Sequence, residues 1–239
     1  MIRSALLSYL VLLSVSAPSL ALQTPLLVQD EPAESFDVKV PVTLGVMSRC
    51  PDALLCESVF DRVVTVVPDK IDFNLSYLGK LNDSEPDFGV TCMHGPDECA
   101  GNIQQLCVAK YQPLAKWWQF VQCNNYQGRP QIGKPEVALK CAKAAKIEWE
   151  GSDIAGCAGS DASGKAEEGI ELLRQSVKET ERLNIKKSCT IMINGNKVCV
   201  RDGAWKECEA GHDPKDFIRQ INEEYRHLNS RGGGLEEEE

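Results

Sequence analysis

Eleven cysteines stand in a chain of 239 residues that has only three histidines, so the chemistry to consider first is that of sulfur. A thiolate can attack a disulfide and exchange partners with it, two thiols can close into a staple, and thiols with imidazoles can hold zinc. Cys50 has the setting of an attacking thiol. It precedes Pro51, and Leu54, Leu55, Val59, Phe60, Val63 and Val66 then recur at helical spacing. Proline fits the first position of a helix because its missing N–H is not needed there. Cys50 is therefore expected at a helix N-terminus, where the helix dipole and free N–H groups stabilise a thiolate.

The densest cysteine string is CMHGPDECAGNIQQLC, from Cys92 to Cys107. On a single helix Cys99 and Cys107 stand about 8 × 1.5 Å, roughly 12 Å, apart, beyond the roughly 7 Å a disulfide spans, so they need different partners. Cys92 precedes that helix and folds back on one or the other. Zinc is the competing use of these residues, but the spacing is not the paired Cys-x-x-Cys of structural zinc sites, and no metal or cofactor is expected. The string resembles the signature of the gamma-interferon-inducible lysosomal thiol reductase family. Cys92, His94, Gly95, Glu98, Cys99, Asn102 and Cys107 all match, and Met93 stands where the signature has glutamine. The resemblance extends over most of the chain after its leader. It implies a thioredoxin-like fold and thiol-dependent reduction of protein disulfides in an acidic endolysosomal or secreted setting. His94 reads as a polar loop residue and not as a general base.

The resemblance also implies a Cys-x-x-Cys at the end of the first strand, from which this chain departs: the string is Cys50-Pro51-Asp52-Ala53. The nearest alternative resolving thiol is Cys56, which on a regular helix lies about 240° round from Cys50, so the two share no face. A second departure is the proline that thioredoxin-like proteins place before the late hairpin. Counting back from Asn194-Gly195, that position falls at or near Cys189. Either Cys189 lies beside Cys50 and forms a disulfide across the site, or it pairs with Cys199 or Cys208. Cys50, Cys56 and Cys189 are thus the candidate catalytic residues. Cys92, Cys99, Cys107, Cys123, Cys141, Cys157, Cys199 and Cys208 read as structural disulfide residues. Trp117 and Trp118 read as core residues of an amphipathic helix rather than as an exposed platform.

The elements that must position these residues follow from periodicity. Residues 36–47 alternate and are rich in β-branched side chains, a strand signal, and residues 71–78 read as a second strand after Val67-Pro68-Asp69. Residues 98–122 read as helix broken near Pro113, residues 137–149 as helix, 151–164 as a small-residue loop around Cys157, and 166–183 as a long amphipathic helix. Asn194-Gly195 between 190–193 and 198–201 is a strong hairpin signal. Residues 216–227 close as a helix capped by Asp213 with Pro214 at its first position. A β-α-β opening and a β-β-α closing predict an α/β fold, a thioredoxin-like sheet with a disulfide-rich helical insertion over about residues 90–165. A looser α+β domain has the same order of elements.

The expected organisation is a signal peptide at 1–21, an extended leader at 22–35, one domain at 36–228, and a disordered Gly/Glu tail at 229–239. Arg3 followed by an apolar run of about 11 residues and Ser19-Leu20-Ala21 reads as a secretory signal, and the run is too short to span a bilayer. Eleven cysteines suit an oxidising compartment, and sequons at Asn74 and Asn82 fit glycosylation there. A net charge of −9 argues against nucleic acid as a partner. Two functions fit. One is a thiol oxidoreductase of the secreted or endolysosomal lumen, acting on disulfide-containing polypeptides with a small-thiol reductant and no membrane span. The other is a catalytically impaired, disulfide-stapled thioredoxin-like protein that binds polypeptides or serves structurally. A saposin-like helical lipid binder fits the cysteine-rich helices but not the strand-rich ends.

Overall fold

The computed structural model describes residues 37–230. The expected signal peptide, the leader at 22–35, and residues 231–239 lie outside the described residues. β1 (Val40–Val46) is followed by α1 (Pro51–Val66) and β2 (Ile71–Tyr77), and β1 and β2 pair in parallel in register Val40 with Ile71. The late strands are β5 (Thr190–Ile193), β6 (Asn196–Asp202) and β7 (Ala204–Lys206). They complete one sheet in the order β2-β1-β5-β6-β7, antiparallel from β1 onwards. α7 (Pro214–Ser230) closes the domain. A parallel β-α-β opening joined to an antiparallel β-β-α closing is the thioredoxin-like arrangement, and the looser α+β alternative falls.

β1 is an interior strand, between β2 and β5, and its residues show how it packs. Val40, Val42, Leu44 and Val46 are all fully buried while Pro41 between them is exposed, so the alternate residues of this strand pack one face on the core. Phe60 of α1 lies between Phe73 of β2 and Phe217 of α7, with ring centroids 5.9 and 5.0 Å away. Gly45 lets the chain after the long helix approach closely, since a Cβ there would stand 2.4 Å from Ile185 Cγ2.

Between β2 and β5 lies the insertion. A short hairpin of β3 (Lys80–Leu81) and β4 (Val90–Thr91) leads into α2 (Pro96–Tyr111), α3 (Leu114–Gln127), α4 (Pro135–Ala144), α5 (Asp153–Ala158) and α6 (Glu167–Arg182). α6 covers the end of the edge strand β2, where Ser176 Oγ accepts the Tyr77 N–H at 2.7 Å. Pro113 separates α2 from α3 as expected, and Trp117 and Trp118 are buried against Phe73.

Several expectations need correction. The helix expected over 137–149 stops at Ala144, because Lys146 turns into the left-handed region and Ile147 N–H bonds back to Ala142 O at 2.9 Å. The loop expected at 151–164 contains α5, which buries Ile154 and Cys157. β3, β4 and β7 were not anticipated, being two or three residues long. Residues 229 and 230, assigned to the tail, are the last turn of α7.

Candidate active site

Cys50 stands at the N-cap of α1 with Pro51 at the first helical position and no side-chain cap. It is the one free cysteine among the described residues and is 6% exposed. Its Sγ lies 3.5 Å from the carbonyl oxygen of Ser188, so the segment before β5 passes directly over it. The Ser188–Cys189 peptide bond is cis.

The other two candidate thiols are joined to each other. Cys56 and Cys189 form a disulfide between α1 and the segment entering β5, with Cα atoms 6.3 Å apart, and both are fully buried. Cys50 therefore bonds neither to Cys56 nor to Cys189. The helical rotation that separates Cys50 from Cys56 instead turns Cys56 towards Cys189. The alternative pairing of Cys189 with Cys199 or Cys208 also fails. Cys189 exchanges backbone hydrogen bonds with Arg201 at 3.0 and 2.8 Å, and Cys199, two residues earlier in β6, bonds to Cys208 instead. Ala53, in the place of a second active cysteine, is fully buried.

The remaining cysteines staple the scaffold. Cys92 bonds to Cys99, Cys107 of α2 to Cys157 of α5, and Cys123 of α3 to Cys141 of α4. Cys99 and Cys107 thus have different partners, and Cys92 folds back on the nearer one. Asn74 is exposed on β2, where its amide donates to Thr43 Oγ1 at 3.1 Å. Asn82 is half-buried after β3 and accepts the Ser84 N–H. No group of three or more potential metal ligands occurs among the described residues.

The string from Cys92 to Cys107 reaches the Cys50 turn through its polar residues. Residues 47–50 form a turn closed by Cys50 N–H to Met47 O at 2.9 Å. The fully buried Asn102 accepts the Ser48 N–H at 3.1 Å, and Ser48 Oγ donates to Glu98 O at 3.3 Å. The Glu98 carboxylate is fully buried as well. It accepts the Arg49 N–H at 3.2 Å, the His94 N–H at 3.1 Å, and faces His94 Nδ1 at 2.5 Å. A buried carboxylate persists only when so paired. His94 is accordingly a polar loop residue that orients Glu98. From the other side Ser188 Oγ accepts the Met47 N–H at 2.9 Å.

Two further clamps hold the same turn. The Arg49 guanidinium pairs with Asp97 at 2.8 Å and donates to the carbonyls of Pro130 and Ile132, while Arg129 donates to Arg49 O. This clamp needs a glycine at 133, whose φ is +88° and whose Cβ would lie 1.7 Å from Asp97 O. Asp52, in the first turn of α1, accepts the Gly203 N–H at 2.9 Å. Arg201 Nε stands 3.1 Å from the other Asp52 oxygen, close enough to pair in charge but outside hydrogen-bond geometry. Ser48, Arg49, Ser188 and Arg201 carried no sequence signal, because each acts on a partner dozens of residues away.

One buried acid lies deeper. Glu57 follows Cys56 on α1, and burial pushes its carboxyl up to about 8 although the Asn125 amide donates to it. Burial, and secondarily the charge of Glu57, also raises the Tyr77 hydroxyl well above its ordinary value.

Residues 41–145 match the family model described as gamma interferon inducible lysosomal thiol reductase. GILT-like protein 1 of Drosophila melanogaster is 29% identical over 162 residues, covering 61% of this chain and 61% of the relative. A gamma-interferon-inducible lysosomal thiol reductase-like protein of Anopheles gambiae is 28% identical over 170 residues, covering 61% of this chain and 62% of the relative. The matched stretch thus spans less than two thirds of either relative. Among solved structures, oxidised BdbD from Bacillus subtilis superposes with a TM-score of 0.52 at 16% identity, covering 78% of this chain and 88% of that one. MdbA, a thiol-disulfide oxidoreductase from Corynebacterium diphtheriae, does so with a TM-score of 0.52 at 15% identity, covering 79% and 86%. These likenesses carry the fold, and the family match carries the signature whose Glu98 and Asn102 hold the Cys50 turn. Over residues 41–145 the chain thus matches the gamma interferon inducible lysosomal thiol reductase family, with Cys50-Pro51-Asp52-Ala53 at the end of its first strand.

Proposed function

We propose that this protein is a thiol oxidoreductase that reduces polypeptide disulfides through Cys50. The observation that carries the reading is a free thiol at the N-terminus of α1, its turn fixed on both sides by buried hydrogen bonds. The Cys50 thiolate attacks one sulfur of a substrate disulfide. A Cys50–substrate disulfide forms, and the other substrate sulfur leaves as a thiolate and takes up a proton. With Cys56 and Cys189 bonded to each other, neither is a thiol in this state, so an external small thiol resolves the intermediate. It attacks the Cys50 sulfur, so the second substrate sulfur leaves as a thiolate and takes up a proton, and a second small thiol then attacks the small-thiol sulfur held on Cys50, leaving as a small-molecule disulfide and returning the electron pair to Cys50.

Five disulfides among the described residues support an oxidising compartment reached through the secretory pathway, the secreted or endolysosomal lumen. The test is capture of the intermediate. Incubation with a disulfide-bonded polypeptide, acid quenching, alkylation and peptide mapping should find substrate linked to Cys50, and substrate linked to another cysteine overturns the assignment.

A second reading is favoured by one observation, the buried Ala53 where the family has its second cysteine. On that reading the protein is a catalytically impaired, disulfide-stapled member with a binding or structural role, and no Cys50–substrate disulfide is captured.

A further inference from the structure

Beside the Cys50 turn lies a groove of about 320 Å³ between the end of β2, the β3–β4 hairpin and the segment after α6. Its apolar lining is Met47, Leu78 and Met93. Met93, the residue that replaces the signature glutamine, is 76% exposed. Lys80 and Lys186 line the groove as well. Both are exposed, and among the described residues neither has a carboxylate within ion-pairing distance. In a chain with a net charge of −9, two unpaired lysines flanking an apolar floor are a local reversal of sign.

The groove is coupled to the sulfur by geometry. Met47 and Cys50 are the first and last residues of one turn, joined by the hydrogen bond at 2.9 Å, and the ends of such a turn stand within about 7 Å of each other. A polypeptide whose disulfide meets Cys50 can therefore reach Met47 with its next few residues. Methionine side chains adapt to varied apolar partners, while unpaired lysines add attraction for carboxylates and disfavour cations.

We infer that this groove receives the polypeptide flanking the substrate disulfide, an apolar side chain seated on Met47, Leu78 and Met93 with acidic residues on either side meeting Lys80 and Lys186. The inference rests on Cys50 as the attacking thiol, but binding can be read without any reaction. The probe is a fluorescent cyclic peptide whose disulfide is replaced by a thioether, flanked by Glu-Leu-Glu, with a Lys-Leu-Lys isomer as its counterpart.

Fluorescence anisotropy should show the wild type binding the acidic probe about tenfold more tightly than the basic one, with the difference shrinking as salt rises. Lys80→Glu with Lys186→Glu should invert that preference, and both sites are exposed, so the variant should melt as the wild type does. Equal affinity of the two probes for the wild type, or an unchanged preference in the double variant, overturns the inference. So does failure of both probes to bind while the protein dimerises through this face, which assigns the groove to a second copy of the chain. Failure of the reductase reading looks different: the acidic probe binds with the expected preference, yet the parent disulfide peptide is not reduced.

Discussion

The side-chain oxygen of Asn102 accepts the backbone N–H of Ser48 at 3.1 Å, with both residues buried. This bond links the middle of the family signature to a turn 54 residues earlier that ends on Cys50. Glu98 makes the parallel link to Arg49. The signature thus supplies the acceptors that fix where the Cys50 sulfur sits, besides supplying the Cys92–Cys99 staple.

Asn102→Ala should therefore affect Cys50 at a distance. The variant leaves the Ser48 N–H buried without an acceptor, at a cost of about 1–3 kcal/mol, and loosens the turn. The expected result is a lower unfolding midpoint together with an altered rate of Cys50 alkylation in the native protein. A changed midpoint with an unchanged alkylation rate would reduce Asn102 to a core residue with no bearing on the site.

Glu57 should make stability depend on pH. Its carboxyl is pushed up to about 8 from 4.5, so between those values the folded protein holds a proton that the unfolded chain has released. Stability from this group is complete below about pH 4.5 and is lost as pH rises through about 8, at up to about 1.4 kcal/mol per pH unit. Glu57→Gln keeps the acceptor for the Asn125 amide and removes the titration. Denaturant unfolding across this range should show a flatter profile for the variant, and parallel profiles would contradict the assignment.

The disulfides should differ in worth according to the loops they close. Cys107 and Cys157 are 50 residues apart, Cys199 and Cys208 only 9. Restriction of the unfolded chain gives about 4 kcal/mol for the longer loop and about 2.5 kcal/mol for the shorter. Replacing each pair by alanine and measuring unfolding free energy should show the larger loss for Cys107 and Cys157. An equal or reversed order would place the stabilisation in the folded state instead.

The fold was legible where local pattern decides it. The alternation before Cys50, the helical period after Pro51, the break at Pro113 and the Asn194-Gly195 hairpin all gave elements at or near their observed positions. The short strands escaped because two or three residues carry no period. The left-handed Lys146 that ends α4 gave no signal because the residue is not a glycine. At the site, the position of Cys50 on its helix was readable and its neighbours were not. Sequence alone offered Cys189 a place beside Cys50 or a bond to Cys199 or Cys208, whereas the register of β5 on β6 and the Cys199–Cys208 bond leave Cys189 facing Cys56. The roles of Ser188 and Glu98 depend on contacts between residues 49 to 141 positions apart, which no local pattern encodes.

Reduction of a denatured disulfide-bonded polypeptide at acidic pH, with a small thiol as reductant, compares the wild type with Cys50→Ser most directly. Loss of the wild-type rate down to that of the small thiol alone is the expected result, with the five disulfides of the described residues intact. A Cys50→Ser protein that reduces the substrate as fast as the wild type would contradict the account and move the chemistry away from the N-terminus of α1.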